Sequence, residues 1–254
     1  MTDMNAPDSA CSPFEIAKEH LIVALDVPSA DAALKLAARL EDQCKWFKVG
    51  LELYIAAGPA IVEALVKRGH SVFLDLKLHD IPNTVASAVR SAGALGAGLL
   101  TVHASGGPAM LAAARDAAAA LANPPQLLAV TLLTSMDEAQ VKAVGVERSA
   151  GEQVALLAKM GLAAGIRGFV CSPQEVAALR ELTGADGVLV TPGIRPSGAD
   201  KGDQQRVATP ALAIEHAASY LVVGRPITQA ADPALAAEAV LFEMAEALGV
   251  ASTQ

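Results

Sequence analysis

Two lysines and two aspartates in the first third of the chain have a spacing suited to chemistry with fixed charges. Asp75, Leu76 and Lys77 end one apolar segment, Asp80 follows three residues later, and Lys48 lies late in the preceding apolar segment. Because side chains alternate across a strand, Asp75 and Lys77 are expected on one face and Leu76 on the other. Four such charges form either a structural salt-bridge network or an active site, and their convergence at one place favours the active site.

Two segments near the C-terminus, TPGIRPSGADKGDQQR (191–206) and VVGRP, are suited to binding an anion. Gly193 and Gly224 would let backbone N–H groups approach a phosphate closely, and Arg225 could bind it with two hydrogen bonds. Gln204 could close over the ligand. The alternative is that these glycines and prolines only form turns, but two such segments after the last two strands are typical of a phosphate site.

The elements that must position these residues alternate along the chain. Short apolar segments of β-branched residues and Leu, typical of buried parallel strands, are separated by Ala-rich amphipathic stretches. The predicted strands are 21–27, 45–51, 71–77, 99–104, 127–134, 168–172, 187–193 and 220–226. The predicted helices are 30–42, 58–69, 82–97, 107–122, 149–165, 173–183, 208–218 and 233–247.

Eight strand–helix units in a chain of 254 residues predict an α/β protein with a single-domain (β/α)8 TIM barrel. The alternative, a doubly wound open sheet, usually has a glycine-rich turn after the first strand, and G-x-G-x-x-G does not occur here. Charged and polar residues at the carboxyl ends of barrel strands face the active site. This rule selects Asp26, Lys48, Asp75, Lys77, Asp80, His103, Thr134, Arg195 and Arg225.

A few features have simpler interpretations. His103 is expected to be a packed or hydrogen-bonded residue, and Trp46 is expected to pack outside the barrel. Two longer loops, 135–148 and 194–207, follow the fifth and seventh predicted strands, where loops are often lids over the active site. Residues 1–14 are expected to form a flexible tail, and the catalytic barrel is expected to span 15–254.

Composition and charge disfavour several classes of protein. Hydrophobic residues make up 53% of the chain, which excludes a disordered protein, and the formal net charge of −8 argues against nucleic-acid binding. Neither an uncharged apolar segment of membrane-spanning length nor a signal peptide is evident. Cys11, Cys44 and Cys171 lie far apart, which suits a reducing compartment rather than a disulfide framework or a zinc site. We therefore expect a cytoplasmic protein.

Six short motifs follow one another along nearly the whole chain. They are ALDV (24–27), KVG (48–50), DLKLHDIPNT (75–84), LTS (133–135), PGIRP (192–196) and VVGRPIT (222–228). Together they resemble the orotidine 5′-phosphate decarboxylase family, most closely its bacterial branch. The resemblance implies decarboxylation of orotidine 5′-monophosphate to uridine 5′-monophosphate, the last step of de novo pyrimidine biosynthesis. It also implies that neither a cofactor nor a metal takes part.

The resemblance further implies a role for each matching residue. Asp75 and Lys77 would lie beside the substrate carboxylate and C6 of the pyrimidine. Asp80 would reach into the site of a second subunit, so that a homodimer shares its active sites. Lys48, part of the catalytic charge cluster, would hold the ribose hydroxyls together with Asp26. The remaining substrate contacts, mostly at the phosphate, would come from Thr134, Arg195, Gln204, Gly224 and Arg225.

Loss of CO2 from C6 leaves a carbanion in the ring plane that the π-system cannot delocalise, so fixed charge must stabilise it. We expect Lys77 to supply that charge and to protonate C6, while Asp75 disfavours the bound carboxylate. Two alternatives remain. One is a metal-dependent sugar-phosphate lyase or aldolase of the same superfamily, whose members typically have a carboxylate ligand where Lys48 stands. The other is a non-catalytic nucleotide-binding protein, which could dispense with Lys77 or Asp80.

Overall fold

Eight parallel strands form a closed barrel in a computed structural model that describes residues 12–196 and 206–251. Each strand pairs with the next along the chain, and the last pairs with the first. This closure confirms the predicted TIM barrel and excludes the open sheet. The strands are β1 (Leu21–Ala24), β2 (Trp46–Gly50), β3 (Ser71–Leu78), β4 (Leu99–His103), β5 (Gln126–Val130), β6 (Gly168–Val170), β7 (Val188–Thr191) and β8 (Tyr220–Val223).

Helices connect the strands and surround the barrel. Within the described ranges, none of them is long and apolar enough to cross a bilayer. They are α1 (Pro13–His20), α2 (Ala30–Arg39), α3 (Leu51–Ala57), α4 (Ala60–Lys67), α5 (Pro82–Ala94), α6 (Gly107–Ala119), α7 (Glu138–Ala143), α8 (Ala150–Ala163), α9 (Val176–Thr183), α10 (Pro210–Glu215), α11 (Arg225–Thr228) and α12 (Pro233–Ala251).

The N-terminal boundary differs from the prediction. Helix α1 begins at Pro13, inside the predicted tail 1–14, and the Ser12 hydroxyl caps it by accepting from the Glu15 N–H. The Phe14 ring packs against Phe242 of α12 with 5.0 Å between centroids, which attaches this helix to the barrel. Residues 1–11 lie outside the described part of the chain.

The predicted boundaries of strands and loops also need correction. Most strands end earlier than predicted. Strand β1 ends at Ala24, not at 27; the Leu25 N–H still donates to the Lys48 carbonyl at 3.0 Å, and the chain then leaves the ladder with Asp26 at the cavity. The predicted loop 135–148 contains α7, which the Asp137 carboxylate caps. Residues 197–205 of the predicted loop 194–207 are outside the described ranges.

The core has an inner and an outer shell, and Trp46 belongs to the inner one. Its ring packs edge-on against Tyr220 with 5.5 Å between centroids, among the side chains that fill the barrel. A Cβ at Gly98 would lie only 2.9 Å from the indole, so the glycine makes room for the ring. The prediction that Trp46 packs outside was wrong, because strand alternation places it on the same inward face as Lys48.

A buried ion pair joins three loops at the mouth of the barrel. Arg206 contacts the Glu175 carboxylate, which also accepts from the Ser172 N–H at 2.8 Å, and Arg206 Nη2 donates to the Leu133 carbonyl at 3.0 Å. The side chains of Arg206 and Glu175 are only 11% and 8% exposed. This pair therefore ties the connection after β7 to the segments that follow β5 and β6.

Removing one partner of this pair should destabilise the fold. We expect Glu175→Ala to lower the free energy of unfolding by about 3 kcal/mol, because the Arg206 guanidinium is then buried without its counter-ion. The control Glu181→Ala, at an exposed position of α9, should change it by less than about 0.5 kcal/mol. Urea denaturation measures both, and equal midpoints for the two variants would contradict a structural role for the pair.

Candidate active site

A cavity of about 450 Å³ opens at the carboxyl ends of the strands, a size typical of small-molecule sites. Part of its lining is apolar and comes from Phe73, Val130, Leu132, Val170 and Val222. The charged and polar side chains that line it are Asp26, Lys48, Glu52, Asp75, Lys77, Thr134, Arg195, Arg225 and Gln229.

Four of these side chains form a continuous line of alternating charge. Lys48 Nζ lies 2.9 Å from Asp26 Oδ1 and 3.8 Å from Asp75 Oδ2. Lys77 Nζ lies 2.9 Å and 2.8 Å from the two oxygens of Asp75. The order Asp26–Lys48–Asp75–Lys77 places each inner charge between two opposite ones, which is what partly buried charges require.

The register of the barrel explains how these charges meet. Lys48 pairs with Ala24 of β1 and with Phe73 of β3, so Asp26 and Asp75 each lie two residues further toward the mouth. Two residues of strand advance the chain by about 6.6 Å. The long lysine side chain spans this distance, and its ammonium group reaches the level of the two short carboxylates.

Asp75 and Lys48 are the most enclosed members of this line: the side chain of each is 12% exposed, against 54% for Asp26 and 30% for Lys77. The acceptors of the Asp75 carboxylate are occupied. Besides the lysine contacts, its Oδ1 accepts from the buried Thr101 hydroxyl at 3.0 Å. The carboxylate is therefore held from three directions.

Lys77 reaches Asp75 by a different route from the one predicted. The β3–β4 register shifts between Leu74 and Leu78, and Lys77 has a φ of 51°, in the left-handed region. Regular alternation thus ends at this point of the strand. The predicted contact between Asp75 and Lys77 is present, but an irregularity of the backbone creates it.

Gly50 leaves the space in which the Lys48 ammonium group lies. A Cβ at this position would be 2.8 Å from Lys48 Nζ and 3.1 Å from Asp26 Oδ1. Its backbone is extended, with a φ of −93°, so that conformation alone does not demand glycine. The glycine is required by the close approach of the ammonium group.

The residues predicted to bind an anion also line the cavity, in the segments that follow β5, β7 and β8. Gly193, Arg195, Gly224 and Arg225 all line it, as does Thr134. A bridge between Ile194 and Ala208 closes the base of the connection after β7, and the Arg195 N–H donates to the Ala208 carbonyl at 2.9 Å. Gly193 has a φ of 82°, so the turn itself needs this glycine. Gln204 lies outside the described residues.

Two predicted candidates do not line this cavity. Asp80 is exposed in the segment between β3 and α5, where its Oδ1 accepts from the Ile81 N–H. His103 ends β4 with its ring 5.3 Å from that of His79. Burial, with smaller effects of His79 and Lys77, lowers the pKa of His103, which favours the neutral imidazole.

Three polar residues at or behind the cavity were not predicted. Glu52 lies in α3, which follows β2, and Gln229 directly follows α11, after β8. Thr101 is fully buried in the middle of β4. Its polar side chain between apolar residues of LLTVH, a segment that ends in His103, is only a weak sequence signal, because threonine is also a common strand residue.

Comparison with known proteins agrees with this geometry. Residues 19–240 match the orotidine 5′-phosphate decarboxylase / HUMPS family. The orotidine 5′-phosphate decarboxylase of Moorella thermoacetica is 53% identical over 234 residues, which are 90% of this chain and 93% of that protein. The chain belongs to this family.

Other members of the orotidine 5′-phosphate decarboxylase family show similar coverage. The Halorhodospira halophila decarboxylase is 52% identical over 90% of this chain and 97% of its own length. The crystal structure of the Lactobacillus acidophilus decarboxylase superposes with a TM-score of 0.79 at 41% identity, and covers 89% of this chain and 99% of that one. The family thus extends over almost the whole barrel, including every motif that carried the resemblance.

Adding one methyl group at position 50 should disturb the charges without disturbing the fold. We expect Gly50→Ala to displace the Lys48 ammonium group and to lower activity in the decarboxylase assay at least about tenfold. Its midpoint of unfolding should stay close to that of the unsubstituted protein, because only the flexible end of a side chain must move. Gly151→Ala, where the added Cβ meets open space, is the control and should retain activity. Full activity of Gly50→Ala would show that the position of Lys48 is not critical.

Proposed function

We propose that this chain converts orotidine 5′-monophosphate into uridine 5′-monophosphate and CO2, the last step of de novo pyrimidine biosynthesis, without a cofactor. The chain is a carboxy-lyase of the family to which it belongs. The observation that carries the proposal is the Lys77 ammonium group, held at 2.8–2.9 Å by both oxygens of Asp75 at the edge of a partly apolar cavity.

The reaction requires positive charge where the electron pair is left behind. The bond between C6 and the carboxylate carbon breaks, CO2 departs, and the pair stays in an orbital of C6 in the plane of the ring. A preorganised ammonium group at this point stabilises the developing charge. Lys77 then donates a proton from Nζ to C6 and regains one from water, so the net reaction consumes one proton.

Asp75 has two roles in this proposal. It holds the ammonium group of Lys77 in place, and its negative charge disfavours a substrate carboxylate bound close by, which loss of CO2 relieves. Lys48 and the Thr101 hydroxyl keep the Asp75 carboxylate fixed while this happens. The stabilising charges are then in place before the reaction, and little reorganisation is needed.

The ribose and phosphate groups of the substrate are assigned to the other polar residues of the cavity. Asp26 and Lys48, at the side of the cavity near β1 and β2, hold the ribose hydroxyls. The phosphate is bound by Arg195, Gln204, Arg225 and the N–H of Gly224, and Thr134 contacts a further polar part of the ligand. Binding of the remote phosphate supplies energy that orients the pyrimidine against Lys77.

The charge arrangement disfavours both alternative functions. In a metal-dependent lyase a divalent cation would occupy the space among the carboxylates, but here the ammonium groups of Lys48 and Lys77 lie there and would repel it. A protein that only binds nucleotides would have no need to hold two lysines against Asp75 inside the cavity. The function that these contacts support best is decarboxylation.

We assign the functional unit to a homodimer with shared active sites. Asp80 is exposed and outside the cavity of its own chain, which leaves it free to reach a neighbouring subunit. Large apolar side chains that follow β2 and β3 are exposed next to the mouth: Leu51 by 50%, Ile55 by 81% and Ile81 by 67%. A second subunit would cover them.

We also assign the protein to the cytoplasm. Both described cysteines, Cys44 and Cys171, are buried thiols, and burial raises the pKa of each to about 12. Such thiols fit a reducing compartment.

Replacing the proposed proton donor should strongly reduce turnover. The wild-type protein should convert orotidine 5′-monophosphate, followed by its ultraviolet absorbance, at the same rate with and without EDTA. We expect Lys77→Ala to reduce the rate by at least about 10²–10⁴-fold, since it loses a positioned acid. Lys35→Ala, an exposed lysine of α2, is the control. A Lys77→Ala protein with full turnover would refute the assignment, and loss of wild-type activity in EDTA would favour the metal-dependent lyase.

Mixed dimers test whether Asp80 acts across subunits. Asp80→Asn and Lys77→Ala proteins should each be inactive, but when coexpressed they should form hybrids with one intact site. Random pairing then gives up to about one quarter of the wild-type specific activity. The control is the pair Lys48→Ala and Lys77→Ala. Each site takes both of these lysines from one chain, so every site in a hybrid lacks one of them and no activity should be recovered. Failure of the first pair to recover activity would contradict a shared site.

A further inference from the structure

The ladder between β3 and β4 has an irregularity at the charged residues. Leu74 pairs with Leu100 and Leu78 pairs with Val102, so three residues of β3 lie opposite the single residue Thr101 of β4. The three residues 75–77 form a bulge, two residues longer than the opposite strand, and it contains both Asp75 and Lys77. Bulges commonly redirect side chains next to active sites.

The Thr101 side chain makes the contacts that the interrupted ladder lacks. The backbone N–H of Lys77 donates to Thr101 Oγ1 at 2.8 Å, and the hydroxyl donates to Asp75 Oδ1 at 3.0 Å. These directions follow from the groups themselves, because a backbone N–H can only donate and a carboxylate accepts. The hydroxyl is therefore used once as acceptor and once as donor, and it is fully buried.

The contacts close a ring that contains the proposed proton donor. Lys77 is held at its backbone by Thr101 and at its ammonium group by Asp75, while Thr101 also holds Asp75. Lys77 has a φ of 51°, a conformation that persists only where surrounding contacts determine it. The Thr101 hydroxyl supplies such a contact at the backbone of Lys77.

We propose that Thr101 is a positioning residue: its hydroxyl holds the bulge of β3 in the conformation that directs the Lys77 ammonium group toward the reacting carbon. The proposal rests on the function proposed for the cavity. Thr101 acts through Asp75 and Lys77, since it does not itself line the cavity. Its loss should therefore change the chemical step more than it changes substrate binding.

Thr101→Val keeps the shape of the side chain and removes the hydroxyl. We expect kcat to fall about 10–100-fold, the effect of a misplaced catalytic group, while KM changes less than about threefold because the phosphate and ribose contacts remain. Thr101→Ser, which retains the hydroxyl, should recover most of the wild-type kcat. The dissociation constant of uridine 5′-monophosphate should be nearly unchanged in both variants.

Thr131→Val is the matched control. Thr131 is also a buried barrel threonine, and its hydroxyl donates to the Val170 carbonyl at 3.3 Å without touching the charged residues. Thr101→Val loses two buried hydrogen bonds and Thr131→Val loses one, so urea denaturation should show a loss of stability in both variants, larger in Thr101→Val. Only Thr101→Val should lose kcat. Wild-type kcat in Thr101→Val, equal losses of kcat in both valine variants, or failure of serine to restore the rate would overturn the proposal.

A crystal structure of Thr101→Val gives an outcome independent of the substrate. We expect Lys77 to leave its positive φ, or its ammonium group to separate from Asp75 by at least about 1 Å. Unchanged geometry of both residues would overturn the positioning role even if the reaction is as proposed. Conversely, a wild-type protein that fails to decarboxylate orotidine 5′-monophosphate would refute the proposed function, while this structural result would still decide what the hydroxyl holds.

Discussion

The site depends on the mutual compensation of four charges that are partly withdrawn from water. Each lysine in the line Asp26–Lys48–Asp75–Lys77 lies against a carboxylate, and the two negative and two positive charges sum to zero. Taking an ammonium group out of water is costly unless a counter-ion accompanies it. The carboxylates therefore allow the protein to keep a charged amine beside an apolar wall, where its field is screened less than in water.

A closed parallel barrel is well suited to build such a line. The carboxyl ends of all strands meet at one mouth, and the register between β1, β2 and β3 sets the height of each side chain. Lys48 starts one layer deeper than Asp26 and Asp75, and its length brings the ammonium group up between them. Gly50 completes the arrangement by leaving this volume empty of a side chain. Backbone pairing and a missing Cβ thus determine where the charge lies.

Regular patterns in the sequence predicted the barrel and the charged residues that line its mouth, because hydrophobic periodicity and strand ends are local properties. The same patterns could not reveal the bulge of β3, which depends on how β4 pairs with it. Strict alternation would have placed Trp46 inside the barrel, because it lies two residues before Lys48 in β2 and therefore on the same face of the strand. Thr101 was missed because a threonine in an apolar strand reads as an ordinary β-former, and its importance follows from partners 24 and 26 residues away.

The contrast between Asp75 and Asp80 shows how differently the fold places two acids of one motif. Both acids belong to one short motif, yet Asp75 is enclosed with all its neighbours in the same barrel, and Asp80 is exposed beside apolar side chains at the mouth. A carboxylate in water contributes little field to a cavity it does not line. If Asp80 contributes to the reaction, another surface must first remove it from solvent and bring it to the cavity. Association between subunits would then complete the electrostatics of the site, in addition to stabilising the fold.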